Sequence, residues 1–347
     1  MREQKVKVVI WGLGAMGSGM AKMILKKSGF KICGICDKNP DYVGKSLGEI
    51  FNINHRGTII QENIEDVIGS KPCDVVLLAT DSFTEKAYPK IKWLIEHKVN
   101  VICTAEEMAY PYANKPELAQ SIDSLAKANG VTVLGTGVNP GMMMDLLVLF
   151  LTGVCEDVSH LDVSRINSLS PFGKTVMNEQ GVGLTIKEFN EKNDEGEIAG
   201  HIGFKESMGM IGKGLGIDIT NFRQQMAPII TSVERISPYG FAAKGNVAGI
   251  EMTAQGDYKD QEFITMNHPQ QIEPQLEGVK TGDYIKITGK PNINMAITPE
   301  VDGGIGTIAI CVNMIPHVIN AKPGLKSMID LPVPRAILGD VRNMIDD

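Results

Sequence analysis

The sequence predicts an α/β protein: a doubly wound parallel sheet joined to a second α+β domain with a mixed or antiparallel open sheet. Three observations carry this. Short runs rich in Val and Ile, apolar on both faces, alternate with helical patterns through about the first 150 residues. The first run leads into a glycine-rich turn that opens a helix. Beyond about residue 155 the runs lengthen and alternate apolar with polar, as strands with one solvated face do.

The buried strands are KVKVVIW (5–11), FKICGIC (30–36), CDVVLLAT (73–80), NVICTA (100–105) and VTVLGT (131–136). Patterns such as GSGMAKMILKKSG and TEKAYPKIKWLIEHK fill the intervals as helices. Repeated βα units imply a parallel sheet with helices on both faces. This first domain covers 1–150, and 151–301 form a substrate and dimerisation domain. There, HLDVSRINSL reads as a strand, and QGVGLTIKEFNEKNDEG and ESMGMIGKGLG read as helices. PIITSVERIS, VAGIEMTAQGDY, EFITMNHPQ and YIKITGKPN read as strands. Met208 and Met210 suit a core better than a substrate wall. The last segment, about 302–347, begins with the apolar helix GGIGTIAICVNMIPHVINAKPG, expected to pack back on the first domain and complete it.

A length of 347 residues suggests about two domains, and 43% apolar residues suffice for two cores. A net charge of -7 argues against nucleic acid or an anionic membrane as partner. The stretch MMMDLLVLFLTGV is too short to span a bilayer and contains Asp145. The chain enters a strand at once, without a signal-peptide pattern, so a soluble cytoplasmic protein is expected. Cys33 and Cys36 form a CxxC inside an apolar strand. Residues three apart there face opposite ways, and no second pair completes a four-ligand zinc site, so buried thiols and no metal are expected.

The turn KVVIWGLGAMG places Gly12-Leu13-Gly14-Ala15-Met16-Gly17 between strand and helix, a Rossmann-type dinucleotide fingerprint. Gly12 permits the tight turn, Gly14 lets backbone approach a pyrophosphate, and Gly17 lets the helix lie close to the strand. Asp37 ends the next strand, at the distance where a carboxylate takes the ribose hydroxyls and repels a 2′-phosphate, which favours NAD. Lys38 can offset that repulsion and keep NADP open. Ala79-Thr80-Asp81-Ser82 and Thr104 end later strands, where a nicotinamide ribose would lie, although Asp81 or Ser82 can equally cap the next helix. Asn139, in the turn Gly137-Val138-Asn139-Pro140-Gly141, can hold the nicotinamide amide or cap a turn.

At the mouth of NVICTA stand two carboxylates, Glu106 and Glu107. No metalloprotease, cysteine-nucleophile or serine-triad motif competes with them. A cofactor that accepts hydride leaves the protein to orient the substrate and carry protons. A carboxylate suits amine oxidation, which first deprotonates an ammonium and then activates water against the resulting imine.

WGLGAMG, TAEEMAYP, GTGVNPGMMMD, RINSLSPFGKTVMNEQGVG, GHIGFKESMGMI and VNMIPHVINAKPGL together resemble the 2,4-diaminopentanoate dehydrogenase family. That family is similar to the native amine dehydrogenases, and its N-terminal domain to dihydrodipicolinate reductase. The matching segments run from about residue 8 to about 334. The resemblance implies oxidative deamination of 2,4-diaminopentanoate at C4, to 2-amino-4-oxopentanoate and ammonia, in ornithine degradation. It also implies a homodimer, and a catalytic glutamate within the pair. Comparison with the catalytic lysine of homoserine dehydrogenases leans toward Glu107. For the substrate carboxylate, Arg165 offers a bidentate fork. Asn167, Ser168, Lys174 and Thr175 follow in an expected loop, and His201 resembles a pocket histidine of the amine dehydrogenases. A broader amine dehydrogenase or imine reductase keeps the same fold, and a dinucleotide-binding sensor would need no carboxylate at this place.

Overall fold

The computed structural model describes residues 2–54, 57–69 and 72–346. The chain divides into two compact units, Met1–Met142 with Asp302–Asp347, and Met143–Val301.

Strands are numbered in chain order. The first unit holds β1 (Val6–Trp11), β2 (Phe30–Cys36), β3 (Ile60–Gln61), β4 (Val75–Leu78), β5 (Asn100–Cys103), β6 (Thr132–Gly135) and, from the end of the chain, β15 (Gly324–Lys326). They lie in the order β15-β6-β5-β4-β1-β2-β3. Every pairing is parallel. β4 and β6 are buried at every position, because helices cover both faces of such a sheet. Thr84–Glu96 buries Ala87, Ile91, Leu94 and Ile95, a stripe at helical spacing. The chain winds outward from β1 to β3, then crosses back to begin again at β4 beside β1. That reversal opens a crevice at the carboxyl ends of the strands, where ligands bind in sheets of this kind.

The C-terminal segment belongs to this unit through more than β15. Its helix Gly303–Asn313 lies along Ala15–Leu25, so closely that a Cβ on Gly19 would collide with Ile308. One expected helix is in fact two, Gly303–Asn313 and Ile315–Asn320, because Pro316 cannot donate the backbone bond that would continue the first. Gly303–Asn320 is, among the described residues, the one stretch long and apolar enough to cross a membrane. It is interrupted at Met314 and buries Ile310, Cys311, Val312, Ile315 and Val318.

The second unit is built on β7 (Asp157–Ser168), β8 (Thr220–Ile230), β11 (Val247–Tyr258), β12 (Gln261–Gln271), β13 (Gly282–Lys290) and β14 (Ile293–Ile297), with β9 (Arg235–Ile236) and β10 (Phe241–Ala242) as a separate ribbon. The main sheet runs β14-β13-β7-β12-β11-β8. β7 and β12 are parallel and the other neighbours antiparallel, so the sheet is mixed. One face packs Val163, Ile250, Met252, Ile264, Met266 and Ile285 against Val148, Phe189, Phe204, Met208 and Ile211 from the helices. Alternate residues such as Asp162, Ser164 and Thr253 stay partly exposed on the other face. Met208 and Met210 are core residues.

Three details differ from the sequence expectation. Helix Leu146–Thr152 packs Val148 into the second unit's core, which moves the division to Met142/Met143. β8 begins at Thr220, ahead of the apolar run, because an edge strand with exposed Arg223, Gln224 and Gln225 carries no hydrophobic alternation. Cys33 sits where the β1–β2 register shifts, in a bulge that upsets simple strand parity. All six cysteines are free thiols. Burial pushes Cys36 up to about 12.

Candidate active site

The glycine-rich turn behaves as its spacing demands. Gly12 has φ 94°, and an added Cβ would lie 2.5 Å from the Ala79 carbonyl oxygen. A Cβ on Gly17 would collide with the carbonyl of Gly12, so helix and turn touch through backbone alone. Gly14 is different: its Cβ position faces open space. Helix Ala15–Leu25 starts there with no side-chain cap, and its first N–H groups are the donors a pyrophosphate takes. Ala15 is exposed and Met16 half-buried. This cradle fits a dinucleotide. The Leu13 side chain is fully buried, and its N–H is donated to Asp37 Oδ2 at 2.5 Å. It holds the turn through its backbone.

Asp37 closes β2 and ties two loops, its other oxygen accepting the Asn39 N–H at 2.7 Å. Each carboxylate oxygen keeps a further lone pair for ribose hydroxyls. Lys38 beside it is exposed.

After β4, Ala79 is half-buried and Thr80 exposed. Asp81 is ion-paired with Lys90 at 2.5 Å, and Lys90 also donates to Thr80 Oγ1 at 2.9 Å. Neither Asp81 nor Ser82 caps the next helix. Its first turn is held by Glu107, whose Oε2 accepts the Thr84 N–H at 2.8 Å, while the Glu107 N–H donates to the Ser82 carbonyl at 3.2 Å. Glu107 is only 9% exposed. Thr104 continues the sheet with an N–H donated to the Leu78 carbonyl at 3.0 Å.

The two glutamates stand on a 3-10 turn, Glu106–Ala109, and not in extended chain. Successive side chains there diverge by about 120°. With Glu107 turned to the helix start, Glu106 is directed elsewhere, and it is only half-buried. The turn sits flat against β6, since a Cβ on Gly135 would collide with the Met108 carbonyl. Gly135 was legible as a glycine inside a buried strand, the usual mark of a close backbone approach. Asn139 is half-buried in the turn after β6, where the Val138 N–H donates to Thr307 Oγ1 at 3.1 Å.

In the second unit, Arg165 and Asn167 point to the covered face of β7. Arg165 is 3% exposed, so it is no surface charge. Its Nη1 pairs with Asp283, directly across the ladder, and its Nη2 donates to the Val301 carbonyl at 2.5 Å. A guanidinium has five N–H groups. Arg165 therefore keeps donors but offers a carboxylate a locked, already paired fork, not a free charge. The His268 Nδ1 lies 2.6 Å from the Arg165 carbonyl oxygen, and the rings of His268 and His201 meet edge-on at 4.7 Å. Burial, then the charge of Arg165, brings His201 down to about 3. Burial likewise holds His268 well below the usual histidine range. Both imidazoles are neutral at pH 7.

Three other expectations are corrected. Ser168 faces away from Arg165 and Asn167, its N–H donated to Glu300 at 3.1 Å. Lys174 and Thr175 are exposed on the first turn of helix Lys174–Glu179, not in a cleft loop. His268, Asp283 and Lys90 were missed. His268 alone left a signal, two places beyond Met266 on the inward parity of β12.

This cradle at a topological switch point, with carboxylates on its rim, defines a dinucleotide-dependent oxidoreductase. Residues 6–129 match the N-terminal family of dihydrodipicolinate reductase, and residues 142–347 match the 2,4-diaminopentanoate dehydrogenase C-terminal domain. A 2,4-diaminopentanoate dehydrogenase of Acetoanaerobium sticklandii is 58% identical, over 99% of this chain and 98% of its own. An amine dehydrogenase of Streptomyces virginiae is 23% identical over 96% of this chain and 98% of its own. The structure of an amine dehydrogenase from Mycobacterium smegmatis matches with a TM-score of 0.86 at 25% identity, covering 97% of this chain and 99% of that one. The chain belongs to the 2,4-diaminopentanoate dehydrogenase family and is an amine-acting oxidoreductase that uses a nicotinamide dinucleotide.

Proposed function

We propose that the protein oxidatively deaminates 2,4-diaminopentanoate at C4 to 2-amino-4-oxopentanoate and ammonia, a step of ornithine degradation. The observation that carries this reading is the 58% identity, along 99% of the chain, to a relative bearing that name. NAD is the favoured cofactor because Asp37 ends β2 beside the glycine turn, with NADP accessible through Lys38. Bound in that cradle, the nicotinamide supplies the hydride acceptor.

The chain's own residues handle protons and position. Glu106 takes a proton from the C4 ammonium, which frees the nitrogen lone pair to expel hydride from C4. It passes that proton to solvent, takes another from the water that adds to the iminium carbon, and gives it to the carbinolamine nitrogen, so that ammonium leaves with the hydroxyl proton as the carbonyl forms. Glu106 is assigned the proton transfers because Glu107 Oε2 accepts the Thr84 N–H, which fixes that carboxylate at the helix start. In the second unit, Arg165, paired with Asp283, keeps N–H donors and is the candidate for the substrate carboxylate, and neutral His201 is the candidate beside it. Asn139 and the Ala79–Ser82 turn hold the nicotinamide end.

Two further readings go with this one. A second copy covers the open face of the mixed sheet, giving a homodimer, and a monomer mass by light scattering would remove that. Six free thiols suit a reducing compartment, the cytoplasm.

The test supplies NAD or NADP with 2,4-diaminopentanoate and follows the absorbance of reduced cofactor. A rise with simple alkylamines alone would replace this substrate with a broader amine specificity. No rise with any amine would leave a dinucleotide-binding sensor.

A further inference from the structure

Thr80, Asp81 and Lys90 close a triangle beyond the end of β4. Asp81 Oδ2 accepts the Thr80 hydroxyl at 2.5 Å and Lys90 Nζ at 2.5 Å, and Lys90 Nζ also donates to Thr80 Oγ1 at 2.9 Å. Thr80 and Asp81 belong to the turn, and Lys90 to helix Thr84–Glu96. A hydroxyl has one proton, and Asp81 takes it. The Thr80 side chain is thereby fixed, with its oxygen toward Lys90 and its methyl toward the glycine-rich turn. A Cβ on Gly12 would lie 2.9 Å from Thr80 Cγ2 and 2.5 Å from the Ala79 carbonyl oxygen.

The triangle also settles a charge. Asp81 stands one side chain away from the turn that fits a pyrophosphate, a group with two negative charges. The strand ends here are already acidic, since Asp37 closes β2 and Glu106 and Glu107 follow β5. The Asp81 side chain is only 11% exposed, so water and salt screen it less than a surface charge. Lys90 is its ion-pair partner, reaching in from the helix.

We propose that Lys90 is a positioning residue for the cofactor: by cancelling the charge of Asp81 and fixing Thr80, it lets the turn after β4 accept the dinucleotide. Without it, Asp81 repels the cofactor's phosphates. This rests on the reading that the Ala79–Ser82 turn holds the nicotinamide end. It does not depend on which amine is oxidised, because the effect is read in cofactor binding alone. Lys90 takes no part in hydride or proton transfer.

The experiment titrates the intact enzyme with NAD, or with NADP where that binds tighter, in the absence of substrate. Lys90→Met should weaken the cofactor about tenfold at low salt, the effect of one bare charge several ångströms from the phosphates at an effective dielectric of about 20. In about 1 M KCl, where the screening length is about 3 Å, the loss should shrink to about twofold. The double variant Asp81→Asn with Lys90→Met should recover most of the loss, because it keeps an acceptor for Thr80 and leaves no bare charge. A double variant as weak as Lys90→Met, with a loss that salt does not change, would mean that the pair only braces the turn, and overturns the proposal. Unchanged affinity in Lys90→Met overturns it as well. Should Lys90→Met not fold, Lys90→Gln makes the same comparison. A wild-type enzyme that binds the cofactor but does not oxidise 2,4-diaminopentanoate overturns the proposed function and leaves this inference standing, while one that binds neither NAD nor NADP overturns both.

Discussion

The division of labour between Glu106 and Glu107 can be measured as a crossover. Thr84 is fully buried, and its N–H has the Glu107 carboxylate as partner at 2.8 Å. Glu107→Ala strands that donor, which costs about 1–3 kcal/mol, and removes a helix-start anchor of about 1 kcal/mol in exposed cases. A net loss of about 2 kcal/mol lowers the melting temperature of a unit this size by about 4–8 °C. Glu107→Gln keeps an oxygen acceptor, so its loss should be about 1 kcal/mol or less, with turnover largely retained. Glu106→Gln should leave the melting temperature within about 1 °C and lower kcat about 10²- to 10⁴-fold, the usual worth of a general base. The assays are thermal unfolding with NAD present and initial rates of cofactor reduction. If Glu107→Gln abolishes turnover without changing stability, while Glu106→Gln stays active, the assignment is reversed and the capping argument fails.

Other outcomes follow from the same geometry. Asp37→Ala should weaken NAD about tenfold and NADP less, since only the 2′-hydroxyl form uses the carboxylate; equal losses in titrations of the two cofactors would contradict the ribose role. Gly135→Ala forces a methyl against the Met108 carbonyl and should cost about 1–3 kcal/mol with impaired turnover; a fully active, equally stable variant would show that the glutamate turn is not held by β6. His201 and His268 are neutral in the folded state and bind protons near pH 6.5 when unfolded, so the unfolded state gains protons first as pH falls. Stability should be flat from this source above about pH 6.5 and fall below it, by up to about 1.4 kcal/mol per pH unit for each histidine. Denaturant titrations should show a shallower slope for His201→Gln, and an unchanged slope would place the proton uptake elsewhere.

Much of the first unit was legible because its rules are local. A glycine fingerprint between strand and helix, and strands apolar on both faces, need no knowledge of the rest of the chain. The role of Glu107 was not legible, because capping the helix at Thr84 joins residues 23 apart through a turn type that two adjacent glutamates do not announce. Arg165 was visible as a charge on a strand, but its partner Asp283 lies 118 residues away and is set by strand register. β8 was hidden for a different reason: an edge strand with neither face deeply buried has no hydrophobic period to read.

The first unit is assembled from both ends of the chain, with β15 closing its sheet and Ile308 packed against Gly19. A ribosome releases residues in order, so the contiguous second unit has all its parts before the first one does. The cofactor cradle therefore stays unsupported by its last helix and strand until residues 303–326 have been made. A chain cut short between Gly17 and Gly303 carries the whole glycine fingerprint and still lacks the layer that steadies it.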